Sequence, residues 1–510
     1  MHIFEGFTMQ AKRLPDKVCL CFEGREITYR EHLGRCNRLA NALLGLGLKK
    51  GDMVSVLASN CVEYYECIFG IASAGLCIVP INYRLIADEV FYIVDNSDSK
   101  ALIFGPEYNS VVEELIPRMD KVNDLICLGE EVPSWAKSYE DMLAGSRESD
   151  PPVEVDENDL RALGYTSGTT GFPKGVVVHH TFVPPEVLAT EWGEITEEDV
   201  TLITGPLFHL SHGKYGPQQL YFGGKCVILK SFKAEESLQL IEKHGVTRIF
   251  ALPTAFNWIL DLPEETMDKY DLRSVTFVCS AGSPLHRDSK FKLLELFPNA
   301  DLHDFYGATE IGVCSNLNVR KEMDKIDSVG HLAFGAEVRI VDEEGNDVPV
   351  GQSGTLYMKN TVSEFYKNPE ATSANRMGDW FTAGDVLRVD EDGYYYIVDR
   401  KADMIISGGE NVYPAEVEKI LFTNPKILEA AVIGVPSEKW GESVKSIVVL
   451  REGETTTPEE ILEFCSSKLA GYKRPRSVDI VDELPKNAMG KILKRVLKEK
   501  YWGKGGPKVS

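Results

Sequence analysis

Short apolar runs alternate with longer amphipathic ones along most of this chain. Met53–Ala58, Cys77–Ile81 and Ala101–Phe104 have strand length, and Tyr64–Ala74 between the first two has helical spacing. The alternation returns later. Thr201–Thr204, Cys226–Leu229, Arg248–Ala251 and Val275–Val278 read as strands, and Ala234–Lys243 and Leu285–Leu296 as helices. A strand, a crossover helix and a second strand make a parallel sheet covered by helices. Ligands of such sheets sit beyond the carboxyl ends of the strands.

At roughly 100–200 residues per domain, 510 residues make several domains. The acidic segment Glu130–Asp159, with Pro133, Pro151 and Pro152, reads as a connection between two lobes. Val338–Val341 and Gly354–Met358 are strand-like on either side of a Glu344-Gly345-Asn346 turn, which suggests a small antiparallel barrel or sheet. A boundary near Asp399–Ala402 leaves a compact α+β unit of about 110 residues to close the chain.

The composition, 43% hydrophobic and 26% charged, excludes a disordered, collagenous or coiled-coil chain. A net charge of -23 argues against broad nucleic-acid binding. An anionic ligand then needs a local basic or amide-lined pocket. The 11 cysteines are scattered without zinc or thioredoxin spacing, which suggests core thiols in a reducing compartment. The start, MHIFEGFTMQAKR, lacks a basic stretch followed by an apolar run. The longest uncharged apolar run, Cys67–Ile81, is broken by Gly70, Gly75 and Pro80 and is shorter than the ~20 residues of a spanning helix. A soluble, cytoplasmic protein is expected, with at most peripheral membrane contact. From Lys486 to Ser510 eight Lys/Arg face one acid, Glu499. A solvated helix face explains them; contact with a phosphate-bearing ligand is the alternative.

The densest local signal runs from Tyr165 to Gly175. It contains Thr166, Ser167, Gly168, Thr169, Thr170 and Gly171, and ends Phe172-Pro173-Lys174-Gly175. Glycines allow tight turns, hydroxyls donate hydrogen bonds and Lys174 adds a charge, an inventory suited to wrapping polyphosphate. It is not a Walker A loop, because Pro173 stands where that pattern puts Gly before Lys.

This string resembles the signature loop of the adenylate-forming superfamily, which includes acyl-CoA synthetases, luciferases and peptide-synthetase adenylation domains. The resemblance covers essentially the whole chain, because further motifs follow in family order: Tyr306-Gly307-Ala308-Thr309-Glu310, Thr382-Ala383-Gly384-Asp385, Asp399-Arg400, Ser407 to Pro414, and Pro485 to Lys491. Compact fatty-acyl-CoA synthetases and aryl-CoA ligases are the nearest in kind. The implied fold is α/β: an N-terminal domain, 1–400, of two helix-covered sheets plus a small β-barrel, and a small mobile α+β domain, 401–510, hinged near Ala402. Relatives commonly carry Asp or Lys at that hinge, so Ala402 cannot make their polar contact.

The resemblance implies a role for each motif. Adenine lies between Tyr306 and the turn Ala281-Gly282-Ser283-Pro284, with Asp304, Phe305 and Gly307 beside it. Asp304 stands where relatives often carry an amide. Asp385 and Arg400 hold the ribose. The loop 166–171, Lys174 and Thr309 meet the phosphates, and Glu310, with Thr166, binds Mg2+. Lys491 reaches the α-phosphate and acyl oxygen, offsetting the charge that builds there. His209 stands between acyl pocket and nucleotide. Ser407, Gly408 and Gly409 line the CoA tunnel, with Trp440 as a further contact. The pair His179-His180, lacking a third ligand nearby, reads as structural.

The implied reaction joins a carboxylate to ATP, giving acyl-AMP and pyrophosphate, and then transfers the acyl group to CoA with release of AMP. The implied acyl pocket comprises His209, Leu210, Ser211, Phe250, Ala281, Phe305, Gly307, Ile311 and Gly312. These side chains are apolar or small and include no fixed cation for a second carboxylate, so an apolar monocarboxylate is expected, whether fatty, alicyclic or aryl. Three alternatives share the motifs: an adenylation enzyme loading a carrier protein, a luciferase-type oxygenase, and a non-catalytic nucleotide-binding scaffold.

Overall fold

The computed structural model describes residues 3–166, 173–180, 194–282, 285, 287–342, 344–359, 363–400, 405–412, 414–451, 453–485, 492 and 494–502. Two large sheets carry the fold. The first has seven strands, with Met53–Leu57 at its centre flanked in parallel by Cys77–Pro80 and Ala101–Phe104. Leu160–Thr166 continues it in parallel, and Lys174–His179 closes that side as an antiparallel edge. The second sheet has nine strands. Its parallel middle runs Asp301–Ala308, Phe277–Ser280, Arg248–Ala251, Val200–Ile203, Lys225–Ile228 and Val18–Phe22. The expected strand Val275–Val278 begins two residues later, where pairing to Arg248 and Asp301 starts.

The sheets face one another across a shared core. Val54, Val56 and Ile78 of the first pack in one cluster with Leu20, Cys226 and Phe250 of the second. The helix Val62–Ser73 is buried at ten of its twelve positions, as a helix apolar on every side must be. Its one buried acid, Glu66, is held by the guanidinium of Arg35 at 2.5 Å and the hydroxyl of Tyr139 at 2.7 Å. Each of the eleven cysteines is a free thiol, and all but Cys61 are buried.

Residues 338–400 form a six-stranded antiparallel sheet, in which Val338–Val341 pairs Gly354–Lys359 and Asp385–Val389 pairs Tyr395–Arg400. A last sheet uses only residues after 404: the long hairpin Ile427–Ser437 and Gly441–Leu450, with Ile405–Ser407, Glu410–Val412 and Ser477–Ile480. The helix Lys494–Trp502 of the basic tail packs on it, with Lys494 2.7 Å from Glu418 and the Trp502 indole donating to the Gly434 carbonyl. No helix among the described residues is long and apolar enough to cross a membrane.

Candidate active site

The carboxyl ends of strands from both sheets open into one cavity of about 440 Å³. Pro80 and Thr166 reach it from the first sheet, and Leu252, Ala281 and Tyr306 from the second. Gly282, Phe305 and Thr309 also border it.

The signature loop joins the two strands of a hairpin whose last pair is Thr166 with Lys174. The Thr166 hydroxyl donates to the Glu310 carboxylate at 3.1 Å. Burial pulls the Lys174 ammonium below its usual pKa, while Glu310 opposes that shift. Glu310 follows a break in register between Tyr306 and Gly307. A side chain at Gly307 would meet the Gly312 carbonyl at 2.3 Å, so only glycine permits this close approach.

Tyr306 is buried, and its hydroxyl donates to Asp385 at 2.8 Å. The two nucleotide candidates are thus tied together across two sheets. Asp304 is different. Its carboxylate sits 2.8 Å from the Lys290 ammonium, and both are almost wholly buried. It does not border the cavity, and burial raises its pKa while Lys290 lowers it. The residue expected beside adenine is thus paired with Lys290. Ile311, expected in the acyl pocket, packs instead with Tyr306, Phe365 and Phe381.

The remaining acyl candidates do border the cavity: His209, Leu210, Ser211, Phe250, Ala281, Gly307 and Gly312. His209 precedes the helix Leu210–Tyr221, with its Nδ1 2.8 Å from the Ser211 hydroxyl. Burial lowers the pKa of His209 and keeps its ring neutral. His212 stacks on Phe250, with centroids 4.4 Å apart. The His179 Nδ1 meets the Asn158 carbonyl at 2.7 Å. The described residues contain no cluster of three or more His, Cys, Asp or Glu that could hold a metal.

Gly408 and Gly409 form the two-residue turn of the hairpin Ile405–Ser407 with Glu410–Val412. Both have positive φ, 61° and 79°, as the tight hairpin turn requires. A side chain at Gly408 would strike the Trp440 ring at 2.8 Å, and Gly409 borders the cavity. Trp440 is half-buried under the Arg476 guanidinium, 4.3 Å from its ring. Ser407 is buried behind the turn and does not border the cavity. Ser167, Gly168, Thr169, Thr170, Gly171, Ser283, Pro284, Ala402, Lys491 and the Arg400 side chain lie outside the described residues.

Residues 7–364 match the family model of the AMP-binding enzyme, and residues 416–491 match that of the AMP-binding enzyme C-terminal domain. The chain belongs to the AMP-binding enzyme family. It is an AMP-forming acid–thiol ligase. Among its relatives in this family, the fatty acid–[acyl-carrier-protein] ligase ScoC of Streptomyces coeruleorubidus is 33% identical, over 99% of this chain and 97% of its own. The long-chain-fatty-acid–CoA ligase FadD13 of Mycobacterium tuberculosis is 34% identical, over 93% of each. A solved double mutant of the o-succinylbenzoate CoA synthetase MenE from Bacillus subtilis, bound with its product analogue OSB-NCoA, superposes with TM-score 0.85 at 26% identity, over 98% of each chain.

Within this family site, sequence reasoning missed the cations. The acyl-pocket residues it named carry none, but the cavity they border also contains Arg161 and Lys214. It also missed the contact between the last sheet's unit and the rest. Glu410, Tyr472 and Lys473 border the cavity, and Arg84 pairs with Glu410.

Proposed function

We propose that this ligase activates a carboxylic acid with an apolar body, using the adenylating residues in the roles the motifs suggest. The observation that carries this reading is the meeting of Thr166, Glu310 and Gly307 at the rim of a cavity whose walls are otherwise largely apolar.

ATP enters against Tyr306 and Gly282, with its ribose toward Asp385. Two anions must then approach each other, which demands positive charge between them. Lys174 supplies one such charge, and Lys491 the second. The Glu310 carboxylate beside the Thr166 hydroxyl suits a hard cation bound through one carboxylate and the substrate's phosphates. Bound Mg2+ would screen the phosphates and stabilise the departing pyrophosphate. The acid's carboxylate attacks the α-phosphate, and the P–O bond to pyrophosphate breaks.

In the second step the CoA thiolate attacks the mixed anhydride and AMP leaves. The glycine turn 408–409 at the cavity edge supports the reading that this structure is the thioester-forming arrangement, in which a thin pantetheine arm passes close to the backbone. Neutral His209 lies at the cavity wall, where it can orient the acyl group.

The test is a panel of carboxylic acids assayed with ATP and CoA for AMP and pyrophosphate. AMP release that depends on the acid is the expected result. Formation of ADP, or no turnover with any acid, would sink the reading. The likeness to ScoC supports a second acceptor. Acyl transfer to a phosphopantetheinylated carrier protein in preference to CoA would establish it.

A further inference from the structure

Arg161 is a cavity feature that an apolar acid leaves unexplained. It sits where the strand Leu160–Thr166 breaks register against Lys174–His179. Leu160 pairs with His179 and Ala162 with Val178, so Arg161 is the extra residue of a bulge. A bulge re-aims a side chain that regular alternation would send to the other face. Arg161 is half-buried and borders the cavity.

Among the described residues no carboxylate pairs with it. The titratable group that acts on Arg161 is the Cys77 thiol, and burial keeps that thiol protonated. Desolvation pushes the guanidinium below its usual pKa. A guanidinium enclosed without an acid is unfavourable, and a planar carboxylate is the partner that matches its fork of donors. The same cavity is bordered by Lys214, Gln218 and Tyr221 of the helix Leu210–Tyr221, at spacings of four and three.

Position sets the geometry of the acid. Arg161 precedes Thr166 by five residues on one strand, roughly 16 Å at about 3.3 Å per residue. The reacting carboxyl must reach the phosphates at the Thr166 end. A group at Arg161 is therefore at the far end of the substrate.

We propose that Arg161 determines substrate specificity, and that the acid carries a second carboxylate at the end remote from the one adenylated. This rests on the ligase reading above and narrows its substrate class. The second carboxylate accepts two parallel hydrogen bonds from Arg161. A chain ending in a methyl group would leave the half-buried guanidinium unpaired, and binds less well for that reason.

The experiment compares straight-chain α,ω-dicarboxylic acids with monocarboxylic acids of equal length, on the wild-type enzyme and on Arg161→Met. AMP release with ATP and CoA gives kcat/KM, and calorimetry without ATP gives binding. Wild type should prefer the diacid. Arg161→Met should lose about 100-fold on the diacid, keep or improve its rate on the monoacid, and so invert the preference. Equal use of both acids by wild type, or equal losses on both in Arg161→Met, overturns the proposal. The wild-type preference is read even if the variant folds poorly. If no acid yields AMP, the ligase reading fails. Calorimetry then judges Arg161 separately: a diacid preference supports the assignment and its absence overturns it.

Discussion

The Lys473 ammonium donates to Glu89 at 2.7 Å, joining the unit that carries the last sheet to the helix beside the cavity. The same ammonium lies 2.8 Å from Glu416, and its side chain is 2% exposed. Asn82 donates to the Tyr472 hydroxyl at 3.1 Å, and Arg84 pairs with Glu410. These contacts hold the glycine turn at the cavity edge. Glu89→Gln weakens the bridge yet leaves the Lys473–Glu416 pair intact, so the C-terminal unit still folds. It should slow thioester formation from supplied acyl-AMP about 10-fold, near 1.4 kcal/mol, and leave adenylation unchanged. Equal slowing of both half-reactions, measured by rapid quench, would remove the bridge from the second step.

Glu310 accepts from Thr166 at the cavity edge. Glu310→Gln keeps that hydrogen bond and removes the charge. The Mg2+ concentration for half-maximal adenylation should rise at least 10-fold, a change of about 1.4 kcal/mol in metal binding. A metal titration identical to wild type would reassign Glu310 to a structural role.

Lys491 follows Gly490 in the Pro485–Lys491 motif. A cation that meets charge building on the α-phosphate belongs to the first half-reaction alone. Lys491→Ala should lower acyl-AMP formation by 100-fold or more, about 2.7 kcal/mol, while conversion of supplied acyl-AMP to thioester persists. Comparable loss in both steps contradicts that division.

Much of this was legible in the sequence for a physical reason. Strands buried on both faces read as unbroken apolar runs, so Met53–Leu57, Cys77–Pro80, Ala101–Phe104 and Arg248–Ala251 stand out. The Thr166–Lys174 loop and the Tyr306–Glu310 segment are continuous in the chain, and local motifs expose them. What stayed hidden depends on distant pairing. Glu89 and Lys473 are 384 positions apart. Asp304 stands in a local motif, yet its ion-pair partner Lys290 lies on a different element. Arg161 precedes Gly164 by three, so plain alternation puts the two on opposite faces. The bulge that reverses this exists only once Leu160 pairs with His179 and Ala162 with Val178. The strands Val18–Phe22 and Arg25–Thr28 escaped for another reason. They are short and flank a two-residue turn, Glu23-Gly24, whose φ values are both positive.

Buried histidines set the acid limit of the fold. His32 is fully buried among Phe7, Tyr65 and Phe69, and desolvation, aided by Arg35, pushes its pKa down to about 3. Desolvation, with a smaller contribution from His209, pushes His212 likewise down to about 3. In the unfolded chain each takes up a proton near pH 6.5. Between pH 6.5 and 3 the unfolded state therefore binds more protons than the folded one. Stability from these groups is intact above pH 6.5 and is lost as pH falls through that window. At pH 5 the loss is about 2 kcal/mol for each histidine. Urea midpoints should fall between pH 8 and pH 5, and His32→Gln, which cannot titrate, should flatten the dependence by about 2 kcal/mol at pH 5. If the variant and wild type lose stability in parallel over that range, His32 is not among the groups that drive the acid transition.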